Sequence, residues 1–257
     1  MVGSDFPMAR TIASIQNSTR PLVALTAYSH PFARLLDESG VDMILVGDSL
    51  GMVEHGREDT VSVTLEEMIF HTRSVRRGVK STLLISDLPY GTYKQAGQAL
   101  AAAKALCKAG ADAVKLEGGQ EMEPVVTTIT SAGIPVVGHL GMLPQRIREE
   151  KKYRVKGKDS QGAQALLDDA IALEKSGAFC VVLELVHPPT AKQITDTISI
   201  PTIGIGSGPD CGGQILVTYD LVGLTPWFKP GFVEPLASIG EDVIRAAREF
   251  ARQVRGD

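Results

Sequence analysis

Five apolar segments of this chain carry, or end in, side chains able to do chemistry. Asp48 and Ser49 follow MILVG, Asp87 follows LLIS, and Lys115 and Glu117 lie in AVKLE. His139 follows VVG, and Glu184 lies inside VVLELV. Asp48, Asp87 and Glu117 are hard oxygen donors. Such a set suits Mg²⁺, which binds through one or two carboxylates while water and substrate complete its shell. No His/Cys spacing suggests zinc. Lys115 supplies a fixed cation for an anionic substrate. Glu184 sits among Val182, Leu183 and Val186, apolar surroundings that should raise its pKa and suit proton transfer near neutral pH. Metal, cation and base together fit proton abstraction next to a carbonyl, with the enolate held on Mg²⁺.

Each residue also has a plainer reading. Asp48, Ser49 or Asp87 could cap a helix. His139 could be a core histidine bonded to a loop, and Lys115 with Glu117 an internal ion pair. A buried pair without chemistry costs desolvation, and glutamate is rarely buried without a reason. Five successive segments each donating a polar group make a constellation, where one would mean little.

The elements that must position these groups are legible as alternating patterns. Strand-like apolar runs occupy 22–27, 42–49, 81–89, 113–119, 135–141, 179–186, 201–208 and 214–223. Helical stripes lie between them: Leu65, Met68, Ile69, Thr72 and Val75 form one, and Leu100, Ala103, Leu106 and Cys107 another. A last stripe runs through Ile239, Val243, Ala246, Phe250 and Val254. Continuous apolar strands joined by helices mean a parallel sheet covered on both faces. Eight such units in about 250 residues favour a closed (β/α)8 barrel over an open doubly wound sheet. Barrels deliver catalytic groups at the C-terminal strand ends. Side chains alternate along a strand, so Asp48 shares a face with Val46, Asp87 with Ile85, His139 with Val137 and Glu184 with Val182. If these faces point inward, every polar group meets at one mouth. No Pro/Ser-rich linker interrupts the pattern, which predicts one domain over 1–257, with an N-terminal extension at 1–20 and a terminal helix at 236–255.

Composition narrows the function classes. The 257 residues are 44% hydrophobic and 22% charged, with mean hydropathy +0.06, ordinary values for a globular chain. Net charge is −4, which argues against a nucleic-acid binder. Cys107, Cys180 and Cys211 are odd in number and lack CxxC spacing, so neither a disulfide framework nor a Cys-rich zinc site is expected. No apolar run reaches membrane-spanning length and no secretory leader stands at the N-terminus. A soluble cytoplasmic protein is the expectation. Two further features stand out. GIGSG (204–208) ends the seventh strand, where a tight turn or a phosphate site would fit. The run RIREEKKYRVKGKD (146–159) is basic, either a solvated loop or a surface for a polyanion.

At these residues the chain resembles the ketopantoate (3-methyl-2-oxobutanoate) hydroxymethyltransferase family. The resemblance rests on LTAY (25–28), VGDSLGM (46–52), FHTRSVRRG (70–78), SDLPYGTY (86–93), GADAVKLEGG (110–119), GHLGMLPQ (138–145), YRVKGK (153–158) and PTIGIGSG…GGQILV (201–217), in family order. It implies a barrel of the phosphoenolpyruvate-utilising superfamily, assembled as a homo-oligomer, commonly a decamer. It implies transfer of the one-carbon unit of 5,10-methylenetetrahydrofolate to 3-methyl-2-oxobutanoate, giving 2-dehydropantoate for pantothenate. By motif, Asp48 and Asp87 correspond to Mg²⁺ ligands with Glu117 near the metal. Asp48, Ser49, Asp87 and Lys115 correspond to contacts with the keto acid. His139 lies in the pocket, and Glu184 is the proton acceptor. The cationic run at 146–158 would then meet the polyglutamate tail of folate. The chain departs from the family pattern at Ser29, at Leu185–Pro188, at Gly212 and at Tyr219, none of them a proposed ligand or base. Two alternatives stay open: a Mg²⁺-dependent C–C lyase or mutase of the same superfamily acting on another 2-oxo acid, and a diverged binding paralogue without turnover.

Overall fold

Eight short strands and the helices between them account for most of the chain in the computed structural model, which describes residues 10–227 and 230–256. In chain order the first elements are α1 (Ile12–Gln16), β1 (Leu22–Thr26), α2 (His30–Ser39), β2 (Met43–Val46), α3 (Leu50–Val53), α4 (Leu65–Arg76) and β3 (Leu83–Asp87). Then come α5 (Ala96–Ala109), β4 (Ala113–Glu117), α6 (Glu123–Ser131), β5 (Val136–Gly141) and α7 (Ile147–Glu150). The series ends with α8 (Ser160–Lys175), β6 (Cys180–Glu184), α9 (Pro188–Thr197), β7 (Thr202–Ile205), β8 (Gly213–Leu216), α10 (Thr218–Leu221) and α11 (Ile239–Arg255). The strands close in sequence order into a barrel, and each successive pair from β1·β2 to β7·β8 is parallel. The (β/α)8 architecture read from the alternating pattern is the one observed.

Local chemistry sets the element ends. Thr64 accepts from the Glu67 N–H while Glu67 accepts from the Thr64 N–H, a reciprocal box that starts α4. Asp159 accepts from the Gly162 N–H to start α8. α5 stops at Gly110, whose φ of +119° a side chain would strain, and whose missing Cβ makes room for the Arg76 stem.

The barrel interior is filled by Met43, Leu45, Leu83, Ile85, Val137 and Val182 among others, all at or below 6% exposure. Ile15 from α1 joins the same core at 1%, so part of the expected 1–20 extension packs against the barrel; residues 1–9 lie outside the described residues. At the opposite end from the strand C-termini, Asp37 accepts from the Lys80, Ser81 and Thr82 N–H groups, and Asp42 pairs with Arg10 and Arg20. These contacts hold strand beginnings, the face of such barrels that serves stability.

One strand is shorter than its pattern. The run 214–223 reads as strand throughout, but β8 ends at Leu216 and residues 218–221 are helical. A short apolar run does not distinguish the two states by periodicity.

By contacts the chain divides into Met1–Ile215 and Leu216–Asp257. Within the second unit, the Leu236 N–H bonds Leu221 O and the Ile239 N–H bonds Val222 O. α11 carries Glu241 and Asp242 in its first turn and Arg252 and Arg255 in its last, matching its dipole. Among the described residues no helix is long and apolar enough to cross a membrane.

Candidate active site

Strand register brings the polar groups together. Asp87 on β3 is opposite Lys115 on β4, Glu117 on β4 is opposite His139 on β5, and Gly141 on β5 is opposite Glu184 on β6. Adjacent side chains on neighbouring strands meet, and the distances follow. Lys115 Nζ lies 2.8 Å from Asp87 Oδ1 and 3.5 Å from His139 Nδ1. His139 Nδ1 lies 3.6 Å from Glu117 Oε1, and its Nε2 lies 3.2 Å from Glu184 Oε2. Asp48, Asp87, Lys115, Glu117 and His139 are all 5% exposed or less. Glu184 is the more open member.

Alternation places Asp87, Lys115, Glu117, His139 and Glu184 on the inward parity, continuous with Ile85, Ala113, Val137 and Val182 of the barrel core. It fails for Asp48. The inward residues of β2 are Met43 and Leu45, so Val46 belongs to the other face. Asp48 reaches the site because the chain leaves the strand after Val46. There its N–H donates to Asp87 Oδ2 at 3.0 Å, and its own carboxylate accepts from Gln145.

None of the capping roles is realised. Ser49 stands at the start of α3 without a side-chain cap bond, and its hydroxyl is 2.8 Å from that of Tyr28. α5 begins at Ala96, with Gln95 at its N-cap, away from Asp87.

Two residues that periodicity could not single out complete the site, and a third borders it. Gln145, 3% exposed in the loop after β5, donates from its backbone to Glu117 Oε2 and from its amide to Asp48 Oδ2 and Leu88 O. Tyr93 donates to Gln145 Oε1 at 2.5 Å, fixing which way the amide points. Tyr153 lies in the loop after α7. It stays 47% exposed, while partial burial of the hydroxyl and the charges of Glu184, Asp48 and Glu117 push its pKa up to about 12. Tyr93, Gln145 and Tyr153 all fall inside the motifs quoted above, but off the strands.

Glu184 does not meet the apolar surroundings expected from its neighbours in sequence. Leu185 adopts φ +47°, which breaks strand alternation directly after the glutamate, and the carboxylate faces the His139 imidazole. The backbone there is held from two sides. Met142 N–H donates to Glu184 O at 2.8 Å, and a Cβ on Gly141 would lie 2.1 Å from that oxygen. Only glycine tolerates both the φ of +99° at 141 and this approach. Strain at Leu185 is of the kind stored at functional sites.

The electrostatics are those of a compressed acidic cluster. Burial and the charges of Asp87 and Glu117 raise the Asp48 pKa well above the usual carboxylate range. Burial opposes the Lys115 charge, but Asp87, Asp48 and Glu117 outweigh it and hold the ammonium protonated. Burial and Lys115 likewise oppose charge on His139, and Glu117 with Glu184 push its pKa up to about 9.

Asp48, Asp87, Glu117 and Glu184 thus gather four carboxyl groups around one lysine and one histidine, an oxygen-rich set that offers hard ligands to a divalent cation. Asp87 Oδ1 is buried and pairs with the Lys115 ammonium at 2.8 Å. Among the described residues no three His, Cys, Asp or Glu side chains form a ready-made cage. This donor set fits Mg²⁺, which keeps waters and needs few protein ligands, and does not fit a structural zinc site.

Two features take structural roles. Ser207 of GIGSG donates to Leu183 O and accepts from the Val186 N–H, clamping the end of β6 on which Glu184 stands. In the basic run, Arg146 pairs with Glu121, Arg148 with Asp59 and Lys156 with Glu150. Lys151, Lys152 and Arg154 are exposed.

A closed parallel barrel with buried carboxylates, a lysine and a histidine at its strand C-termini defines an enzyme of the (β/α)8 class. Comparison with known proteins narrows this. The family model described as ketopantoate hydroxymethyltransferase matches residues 8–257. A protein of Thermus thermophilus named 3-methyl-2-oxobutanoate hydroxymethyltransferase is 47% identical over 250 residues, covering 96% of this chain and 96% of that one. One of the same name from Thermoanaerobacter sp. is 45% identical, covering 95% and 90%. Among solved structures, phosphonopyruvate hydrolase in complex with oxalate and Mg²⁺ superposes with TM-score 0.64 at 16% identity, covering 95% of this chain and 85% of that one. A 2,3-dimethylmalate lyase, described as a member of the PEP mutase/isocitrate lyase superfamily, gives 0.61 at 16%, covering 96% and 86%. The chain belongs to the ketopantoate hydroxymethyltransferase family and is an enzyme, a transferase.

Proposed function

We propose that this chain transfers the one-carbon unit of 5,10-methylenetetrahydrofolate to 3-methyl-2-oxobutanoate, giving 2-dehydropantoate in pantothenate synthesis. The observation that carries the reading is the convergence of Glu184 with the Asp48–Asp87–Lys115 group at one end of one barrel, in a chain of this family. Asp48 and Asp87 would hold Mg²⁺, with Glu117 beside it. Mg²⁺, when bound, polarises the 2-oxo group and so acidifies the neighbouring C3–H. Lys115, kept charged by its carboxylates, faces the anionic acid, and Ser49, oriented by Tyr28, adds a hydroxyl contact. Glu184 accepts the C3 proton. His139 lies against Glu184 and fixes the direction of that carboxylate. C3 then bonds to the methylene carbon as its two C–N bonds to the folate break; water supplies the hydroxyl, and tetrahydrofolate leaves with the C3 proton and one proton of that water on its two nitrogens. The exposed Lys151, Lys152 and Arg154 suit the anionic tail of the folate.

The chain would act in the cytoplasm, in keeping with its three free cysteines, as a homo-oligomer, a decamer by family resemblance, without nucleic-acid or membrane partners. Product analysis with 3-methyl-2-oxobutanoate tests the reading. 2-Dehydropantoate should form only when both methylenetetrahydrofolate and Mg²⁺ are supplied, and exhaustive chelation should abolish it. Turnover of the acid without folate would support a lyase or mutase instead. Binding without turnover would support a non-catalytic paralogue.

A further inference from the structure

A pair of histidines outside the carboxylate cluster is arranged as metal ligands are. His55 follows α3 and His71 lies in α4. Their Nε2 atoms are 3.3 Å apart, with the ring planes tilted by 50°. The second nitrogen of each ring faces a group that can only accept. His71 Nδ1 is 2.7 Å from the Tyr28 carbonyl oxygen, so that nitrogen carries the proton. His55 Nδ1 faces Glu67 Oε1 at 3.6 Å, on a carboxylate already tied to Arg57.

A neutral imidazole has one N–H. His71 therefore turns its Nε2 lone pair to the space between the rings, and His55 does the same whenever its proton sits on Nδ1 toward Glu67; two facing lone pairs repel unless a positive charge lies between them. Zinc–nitrogen bonds of about 2.0–2.1 Å in a tetrahedron place two ligand nitrogens about 3.3 Å apart. A backbone carbonyl or carboxylate behind each ring is the usual support of a metal-bound histidine. Both rings are partly exposed, which leaves room for water. Among the described residues no third His, Cys, Asp or Glu completes the set, so two imidazoles and solvent make the shell.

We propose that His55 and His71 form a two-histidine site for a late first-row divalent ion of the Zn²⁺ type, built from different residues than the Mg²⁺ site. Imidazole ligands favour Cu²⁺, Ni²⁺ and Zn²⁺ and leave Mg²⁺, which prefers oxygen, to the carboxylates. An ion there would also steady the end of β1. The Tyr28 carbonyl accepts from His71, and the Tyr28 hydroxyl meets Ser49.

The test is calorimetric titration of Zn²⁺ into the whole protein with Mg²⁺ saturating, so that the carboxylates are occupied. Wild type should bind one Zn²⁺ per chain at this pair, and His55→Gln and His71→Gln should each weaken that event by at least about tenfold. His55 lies outside the catalytic machinery, so His55→Gln should keep its fold and its turnover without zinc, which guards against a folding artefact. Cu²⁺ as a spin probe should show coupling to two imidazole nitrogens in wild type and fewer in His55→Gln. Zn²⁺ affinity unchanged in a folded His55→Gln would overturn the proposal. So would a wild-type protein that takes up no Zn²⁺ under these conditions; the rings would then share a proton.

Discussion

Gln145 joins more of the site than any charged residue does, binding Glu117, Asp48, Leu88 and Tyr93 from one loop position. Gln145→Leu keeps the bulk and removes the amide, leaving Asp48 Oδ2 without its donor. A group that orients a metal ligand is worth about 10–100-fold in metal affinity. The variant should therefore need about 10–100-fold more Mg²⁺ for half-maximal turnover, read from the Mg²⁺ dependence of the rate; an unchanged requirement would show that the amide does not orient the ligand. The sequence made most of the charged site legible for a physical reason. Asp87, Lys115, Glu117, His139 and Glu184 lie on strands, where a period of two ties each to an apolar neighbour of known direction. Asp48 was placed correctly at the mouth through the wrong step, because its neighbour Val46 faces away from the interior and the turn at Gly47 does the aiming. Gln145, Tyr93 and Tyr153 lie in loops, which have no period to read.

At the scale of elements, the strand beginnings depend on a carboxylate with no part in the chemistry. Burial raises the pKa of Asp37, but the N–H groups of Ser81, Thr82 and Lys80 outweigh it and hold the carboxyl below its ordinary 3.8. A depressed folded pKa stabilises the fold fully above the unfolded value and loses that contribution as pH falls through the folded one. Asp37→Asn should lower stability by about 1–3 kcal/mol at neutral pH. The gap between variant and wild type should close below pH 3.8, as followed by denaturant melts across pH. A gap that persists there would assign the role to packing. The same scale shows what element patterns left open. GIGSG read more readily as a tight turn than as a phosphate cradle; the hydrogen bonds of Ser207 make it a clamp on β6. The apolar run after Gln214 read as strand because its helical turn, residues 218–221, is too short to display a period.

At the scale of the molecule, barrel closure assembles the site. Asp48, just past β2, and Glu184, at the end of β6, lie far apart in sequence, and the parallel order β2-β3-β4-β5-β6 links them through Asp87, Lys115, Glu117 and His139. Outside that order, α11 exposes Val243, Phe250 and Val254 at 56%, 68% and 70%, an apolar stripe of the kind that a neighbouring subunit can cover. Sedimentation velocity should give a species several times the chain mass of 27.4 kDa, and a monomer at micromolar concentration would contradict the proposed oligomer.

The central claim is that the barrel places a base across a metal-polarised keto acid, and enolisation tests it without folate. In D₂O with Mg²⁺, the wild-type protein should exchange the C3 hydrogen of 3-methyl-2-oxobutanoate, followed by proton NMR. Glu184→Gln keeps the shape of the side chain and cannot accept the proton. It should bind the acid nearly normally and exchange about 10²–10⁴-fold more slowly, the usual worth of a general base. Exchange at the wild-type rate in Glu184→Gln would contradict the assignment and move the base to His139.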